Sequence, residues 1–167
     1  VYYVAVFNDR FREDYNTINV RHILIQPATG ELSEGDEGYE AEQEQLKAEA
    51  KQQAEELLAQ WKAGEATEDS FAALANENSS DGGSNTNGGL YDSVVKGQMV
   101  AEFNDFCFGN HKPGDTAIVY GESGSYAGYH VMYYVGEGEN YAQAIARSDL
   151  VNQAVSSSAR HIWGIKL

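Results

Sequence analysis

Hydrophobic positions change their period several times along this chain, and each change predicts an element. Val20–Pro27, "VRHILIQP", is an apolar run of strand length, rich in branched residues and closed by a proline. From Tyr39 to Ala63 the spacing turns helical. Leu46, Ala50, Ala54, Leu57, Leu58 and Trp61 fall on one face at steps of three and four, among Glu, Gln, Lys and Ala. Gly64 is placed to end that helix. A second, shorter helix is predicted from "TEDS", with Thr67 or Asp69 as N-cap, through "FAALANE". Asn78–Asp92, "NSSDGGSNTNGGLYD", is dense in Gly, Asn and Ser and reads as a loop. A third helix is expected after Gly97 in "QMVAEFNDFCF", with Met99, Phe103 and Phe106 on one face. "TAIVY" and "GYHVMYYV" read as strands joined by "GESGS". The tail, Asn140 to Leu167, carries a helical pattern through Ile145, Leu150, Val151 and Val155. "VYYVAV", Val1–Val6, reads as a strand or the end of a helix. The order β-α-α-α-β-β argues an α+β fold with a small antiparallel sheet.

Two residues interrupt the apolar strands. His22 lies in the first and His130 in the last, and an imidazole there must find partners or cost stability. Alternation puts His130, Met132 and Tyr134 on one face, and Tyr129, Val131 and Tyr133 on the other. First and last strands of a small sheet often pair. If these do, each neutral ring, with one donor and one acceptor, can satisfy the other. Taken singly, a histidine so placed is more often a satisfied core residue than a functional one.

Charge and composition narrow the classes of partner. The net charge is −15, and no arginine or lysine cluster is present to hold phosphate. Such a chain repels nucleic acid and anionic lipid. Its acid, concentrated between Glu31 and Glu77, reads first as a solvated face and second as an attraction for basic unfolded chains. No apolar run approaches the ~20 residues of a membrane span. The chain opens on Val1 rather than methionine, which reads as a cut point in a longer precursor. Cys107 is the single cysteine, so no internal disulfide forms; this fits a cytosolic protein and an exported bacterial one equally. Its apolar helical neighbours favour a buried, inert thiol.

Taken together, several fragments make a pattern. "VRHILI", "WKAGEATEDSFAALANENSSD", Gly88-Gly89, "KGQMVAEFNDFCF", "KPGDTAIV" and "GYHVMYYV" occur in this order over roughly residues 17–137. On these fragments the chain resembles the parvulin family of peptidyl-prolyl cis/trans isomerases, in its exported bacterial foldase branch. The resemblance implies a four-stranded antiparallel sheet surrounded by helices, with an N-terminal extension at 1–16 and a C-terminal, helical one at 138–167. His22 and His130 match the family's paired histidines, and Asp81 its aspartate or cysteine beside them. Leu90, Met99 and Phe103 match residues that hold the proline ring. "GGLYD" stands where the family has "GGDLG", and Ala127 where it often has a hydroxyl before the second histidine. The implied activity is isomerisation of X–Pro bonds in unfolded or secreted polypeptides, with no cofactor and no metal. The implied setting is extracytoplasmic, with a possible membrane tether outside this chain.

Two other functions compete. The same fold can serve as a chaperone or peptide-binding module with little or no catalysis. A metal site built from His22, His130, Asp81 and Cys107 lacks local ligand spacing and ranks last.

Overall fold

The computed structural model describes residues 13–123 and 126–163, which leaves the Val1–Val6 segment outside the described residues. The element order is β1 (Asn16–Ile25), α1 (Tyr39–Ala63), α2 (Glu68–Asn78), β2 (Leu90–Val94), α3 (Ala101–Cys107), β3 (Thr116–Ser123), β4 (Tyr126–Asn140) and α4 (Tyr141–Trp163). The strands form one sheet in the order β2-β1-β4-β3, so the two histidine-bearing strands lie side by side at its centre. The fold is α+β with an antiparallel sheet.

The sheet of the 17–138 unit is covered on both faces, because its central strands are apolar on both. On one face, Ile23, Ile25, Val131 and Tyr133 pack with Ala50, Ala54, Leu57 and Trp61 of α1 and Phe71 and Ala75 of α2. Trp61 is edge-on to both Phe71 and Tyr133, and its indole N–H donates to the Thr67 carbonyl. On the other face, Ile18, Val20, Met132 and Tyr134 meet Val94 and the Phe103, Phe106 and Cys107 side of α3. His22 and His130 point to this second face. A second unit comprises residues 1–16 and 139–167. There Tyr15 stacks on Tyr141 with ring centroids 4.9 Å apart, and Asn140 donates to Asp14 at 2.7 Å. Among the described residues no helix is long and apolar enough to cross a membrane.

Local sequence explains most boundaries. Thr67 caps α2 by accepting from the Ser70 N–H, and Ser70 returns a bond to the Thr67 N–H. Gly64 closes α1, its N–H bonding the Gln60 and Trp61 carbonyls, but its backbone is not left-handed. That conformation falls two residues later on Ala66, at φ 52°. Its Cβ is strained there, and Ala66→Gly is expected to raise stability by about 0.5–1 kcal/mol. A denaturant titration showing a lower midpoint for the variant would contradict this.

Two expectations are corrected. Leu90 to Asp92 belong to a strand, β2, rather than to the loop. Its ladder to β1 pairs Ile18 with Val94, Val20 with Tyr91 and Arg21 with Leu90. The strand was hidden because only Val94 is fully buried and Ser93 interrupts it at φ 54°, its N–H bonding the Asn19 side chain. The third helix begins at Ala101, so Met99 lies in the turn before it. The Gln98 side chain accepts from the Val95 N–H and holds that turn, and Val100, without a capping side chain, precedes the first helical residue.

Candidate active site

The site grows from the central strands outward. The β1 backbone pairs with β2 only as far as Arg21. Beyond it, the segment between α2 and β2 takes over. His22 N–H donates to Gly89 O at 2.9 Å, Ser80 N–H to Leu24 O at 2.9 Å, and Leu24 N–H to the Ser79 hydroxyl at 3.0 Å. These bonds press the Gly/Asn/Ser segment against β1 and bring Asp81 beside His22. Gly89 is required for this approach: at φ +68°, a Cβ there would lie 2.1 Å from the His22 carbonyl oxygen. Arg21 secures the segment from the opposite face, reaching Glu68 at 2.9 Å and the carbonyls of Asn87 and Gly88 at 3.1 and 3.0 Å.

His22 and His130 meet through their Nδ1 atoms at 2.9 Å. The other nitrogen of His22, Nε2, lies 2.9 Å from Asp81 Oδ2 and 3.1 Å from Ser84 Oγ. Ser84 donates to Asp81 Oδ2 at 2.5 Å, Tyr91 donates to the same oxygen at 3.0 Å, and the Gly83 N–H donates to Oδ1 at 3.1 Å. A carboxylate with these donors is well held as an anion. Burial alone would raise the Asp81 pKa, but the bonds from Ser84, Gly83, His22 and Tyr91 outweigh it and hold it at about 2.

An ionised Asp81 fixes the protons of the chain. The carboxylate can only accept, so His22 must donate to it through Nε2–H, as Ser84 and Tyr91 do through their hydroxyls. Its Nδ1 is then an acceptor, and the contact at Nδ1 requires His130 to donate from Nδ1–H. Both rings are neutral in this arrangement. Burial lowers the His22 pKa against the opposing pull of Asp81. Burial and then the neighbouring His22 lower that of His130 to about 3.

Above the imidazoles lies a cavity of about 260 Å³ lined by His22, Leu24, Asp81, Tyr91, Gln98, Met99, Val100, Phe103 and His130. Phe103, only 2% exposed, stands edge-on to both imidazoles at 5.4 and 5.3 Å. Of the residues expected from the sequence, the structure brings together His22, Asp81, His130, Met99 and Phe103. Leu90 does not line the cavity. Tyr91 does, because β2 turns alternate residues to opposite faces and the one reaching the site is Tyr91. The register of "GGLYD" against "GGDLG" held that information, since Tyr91 falls on the position of the leucine. Ser84 was also missed; its spacing of three from Asp81 was the available signal. Cys107 is buried away from the cavity, and burial pushes its thiol up to about 12. Among the described residues no cluster of three or more His, Cys, Asp or Glu is placed to hold a metal ion.

A helix-flanked antiparallel sheet with an imidazole pair on its two central strands and an apolar cavity above them is the architecture of a parvulin-type domain. The chain belongs to the PPIC-type PPIase domain family, whose profile matches residues 7–133. Among solved structures it is similar to the peptidylprolyl isomerase PrsA from Bacillus cereus, at 22% identity and a TM-score of 0.51, over 91% of this chain and 52% of that one. PrsA from Bacillus anthracis is similar at 20% identity and a TM-score of 0.49, over 91% and 62% of the two chains. A Campylobacter jejuni structure described among two SurA-like chaperones is similar at 22% identity and a TM-score of 0.47, over 90% and 54%. No curated protein sequence matches the chain. The chain spans about half the length of the Bacillus cereus protein, and that likeness bears on the fold.

Proposed function

We propose that the 17–138 unit catalyses cis/trans isomerisation of X–Pro bonds in unfolded polypeptides, with His22, Asp81 and His130 as the polar site and Met99 and Phe103 as walls for the proline ring. The observation that carries this reading is the apolar cavity set directly over an imidazole pair bonded ring to ring and to Asp81. Rotation about an X–Pro bond meets a barrier of ~20 kcal/mol from amide resonance. No bond is made or broken, so no nucleophile is needed. The site must favour the twisted amide over both planar forms. Leu24, Met99, Val100 and Phe103 hold the ring and exclude the water that stabilises the planar, more polar amide. The histidines supply fixed dipoles whose orientation Asp81 sets, and no proton transfer is required of them.

A protease-coupled or NMR exchange assay on a short prolyl peptide tests the reading; exchange no faster than in buffer would sink it. A second reading, peptide binding without turnover, draws support from Ala127, which stands where the resembled pattern often has a hydroxyl shortly before the second histidine. It predicts peptide binding with uncatalysed exchange. The resemblance to exported foldases also supports an extracytoplasmic setting.

The charge of the site bears on substrate choice. Its lining carries one charged group, the Asp81 carboxylate, in a chain of net charge −15. Peptides with an apolar or basic residue before proline are therefore expected to turn over faster than those with glutamate or phosphoserine. The gap should narrow with added salt, since the screening length is only ~8 Å at physiological ionic strength. Values of kcat/KM across such a set, at low and high salt, check this. A preference for phosphoserine would overturn it.

A further inference from the structure

We propose that Gln98 anchors the substrate backbone, its side-chain N–H2 donating to the carbonyl that follows proline while the ring sits in the cavity. The proposal deepens the isomerase reading and rests on it for the identity of the ligand. It starts from a count of side-chain donors in the cavity lining. The polar side chains there are His22, Asp81, Tyr91, Gln98 and His130. Asp81 only accepts, and the hydrogens of His22 Nε2 and of the Tyr91 hydroxyl go to it. The hydrogen on His130 Nδ1 goes to His22, and Nε2 of a neutral ring so protonated carries none. Gln98 differs. Its Oε1 accepts from the Val95 N–H at 3.0 Å, and its own backbone N–H bonds the Val95 carbonyl at 3.2 Å. The first of these bonds settles which end of the amide is oxygen. The N–H2 end is therefore turned away from the Val95 backbone, and among the described residues no group accepts from it. Gln98 itself is exposed, so this donor stands at the rim of the cavity.

A prolyl peptide brings the complementary need. Proline has no N–H, and the groups flanking its ring are two carbonyls, one before it and one after. A carbonyl set against the Asp81 carboxylate or an imidazole lone pair is repelled, whereas Gln98 offers it a hydrogen. The two carbonyls are not equivalent. While the ring stays in its slot, isomerisation swings the carbonyl before proline through about 180°. A fixed donor bonded to that oxygen would lose it as the amide twists, and the barrier would rise. The carbonyl after proline stays with the ring. A bond from Gln98 to it is made alike in the cis, trans and twisted forms, so it tightens binding and leaves the barrier unchanged. Gln98 adjoins Met99 and Val100, which both line the cavity, so donor and ring slot belong to one stretch of chain.

Gln98→Glu isolates the donor. One carboxylate oxygen can still accept from the Val95 N–H and keep the turn, while the other has no hydrogen to give. With an uncharged Ala-Ala-Pro-Phe peptide blocked at both ends, KM should rise by at least about threefold at unchanged kcat, the scale of one neutral hydrogen bond. A second peptide, with a CH2–O link in place of the C(=O)–NH after proline, lacks the carbonyl in question, and wild type and variant should show the same KM for it. A readout free of turnover comes from 15N–1H spectra of the wild-type protein, and it serves even where the variant does not fold. The side-chain N–H2 signals of Gln98 should shift as the prolyl peptide is titrated to saturation. Signals that stay in place would overturn the proposal. So would a KM for Gln98→Glu within twofold of wild type, a loss confined to kcat, or a KM difference that persists with the CH2–O peptide. Gln98 signals that shift in a wild-type protein that does not speed exchange would overturn the isomerase reading and support the anchor.

Discussion

Phe103→Ala should cost the domain about 3–4 kcal/mol of stability and most of the isomerase activity proposed for it. The stability loss follows from burial. Phe103 is 2% exposed and packs with Ile18, Val20, Val94 and Met132, and truncating a buried Phe leaves a cavity that its neighbours fill only in part. The activity loss follows from position, because the same ring packs against both imidazoles in the cavity wall. The two effects need separating. Phe103→Leu retains apolar volume and should cost less stability, yet it removes the flat edge that abuts His22 and His130. Denaturant titration gives the folded fraction, and kcat/KM is then compared per folded molecule. A decrease of at least about tenfold is expected for Phe103→Ala, which corresponds to ~1.4 kcal/mol of transition-state binding. Values within about twofold of wild type would place the proline wall elsewhere.

How far the sequence could be read depended on how local each signal was. α1 was legible residue by residue because its apolar positions keep one period over 25 residues, and the Thr67 cap of α2 is a matter of four neighbouring residues. The central strands were legible from their apolar runs. Residue alternation placed His130, Met132 and Tyr134 on one face, and the packing on that face agrees. Signals that depend on a partner were weaker. β2 exists because β1 offers it an edge, and its own five residues include an exposed aspartate and a serine of positive φ. The start of α3 depends on a Gln98 side-chain bond that no periodicity reports. At the site, His22, Asp81 and His130 were accessible through resemblance, but Leu90 was chosen over Tyr91 because a one-residue shift in β2 exchanges the faces of the sheet. The donors around Asp81 come from four chain positions, three of them within the Gly/Asn/Ser segment and its β2 edge, and their convergence required the fold.

The buried imidazole pair should make the domain unusually sensitive to mild acid. His130 titrates at about 3 in the folded protein against an ordinary value of 6.5, for burial and then His22 oppose its charging, and His22 is lowered as well. Between those values the unfolded chain binds a proton that the native state refuses. Stability is therefore fully present above about pH 6.5 and is lost as the pH falls toward about 3. His130 alone can contribute a slope of up to ~1.4 kcal/mol per pH unit, so a drop from pH 6.5 to 4.5 should remove about 2–3 kcal/mol on its account, and the lowered His22 adds to the loss. That is a large share of the roughly 5–15 kcal/mol typical of a domain. Asp81, depressed to about 2 from 3.8, acts in a lower window: its contribution is present above about 4 and is lost as the pH falls toward 2. The two effects are thus separable by pH. Proton uptake on unfolding, read from the buffer dependence of the calorimetric enthalpy at pH 5.5, should reach about one from His130, with a further contribution from the lowered His22. His130→Phe should reduce it by about one if the variant folds, and the wild-type value stands as a test if it does not. Uptake below about half a proton in wild type would mean that the rings are already charged in the native site, and the neutral chain of donors from His130 through His22 to Asp81 would have to be abandoned.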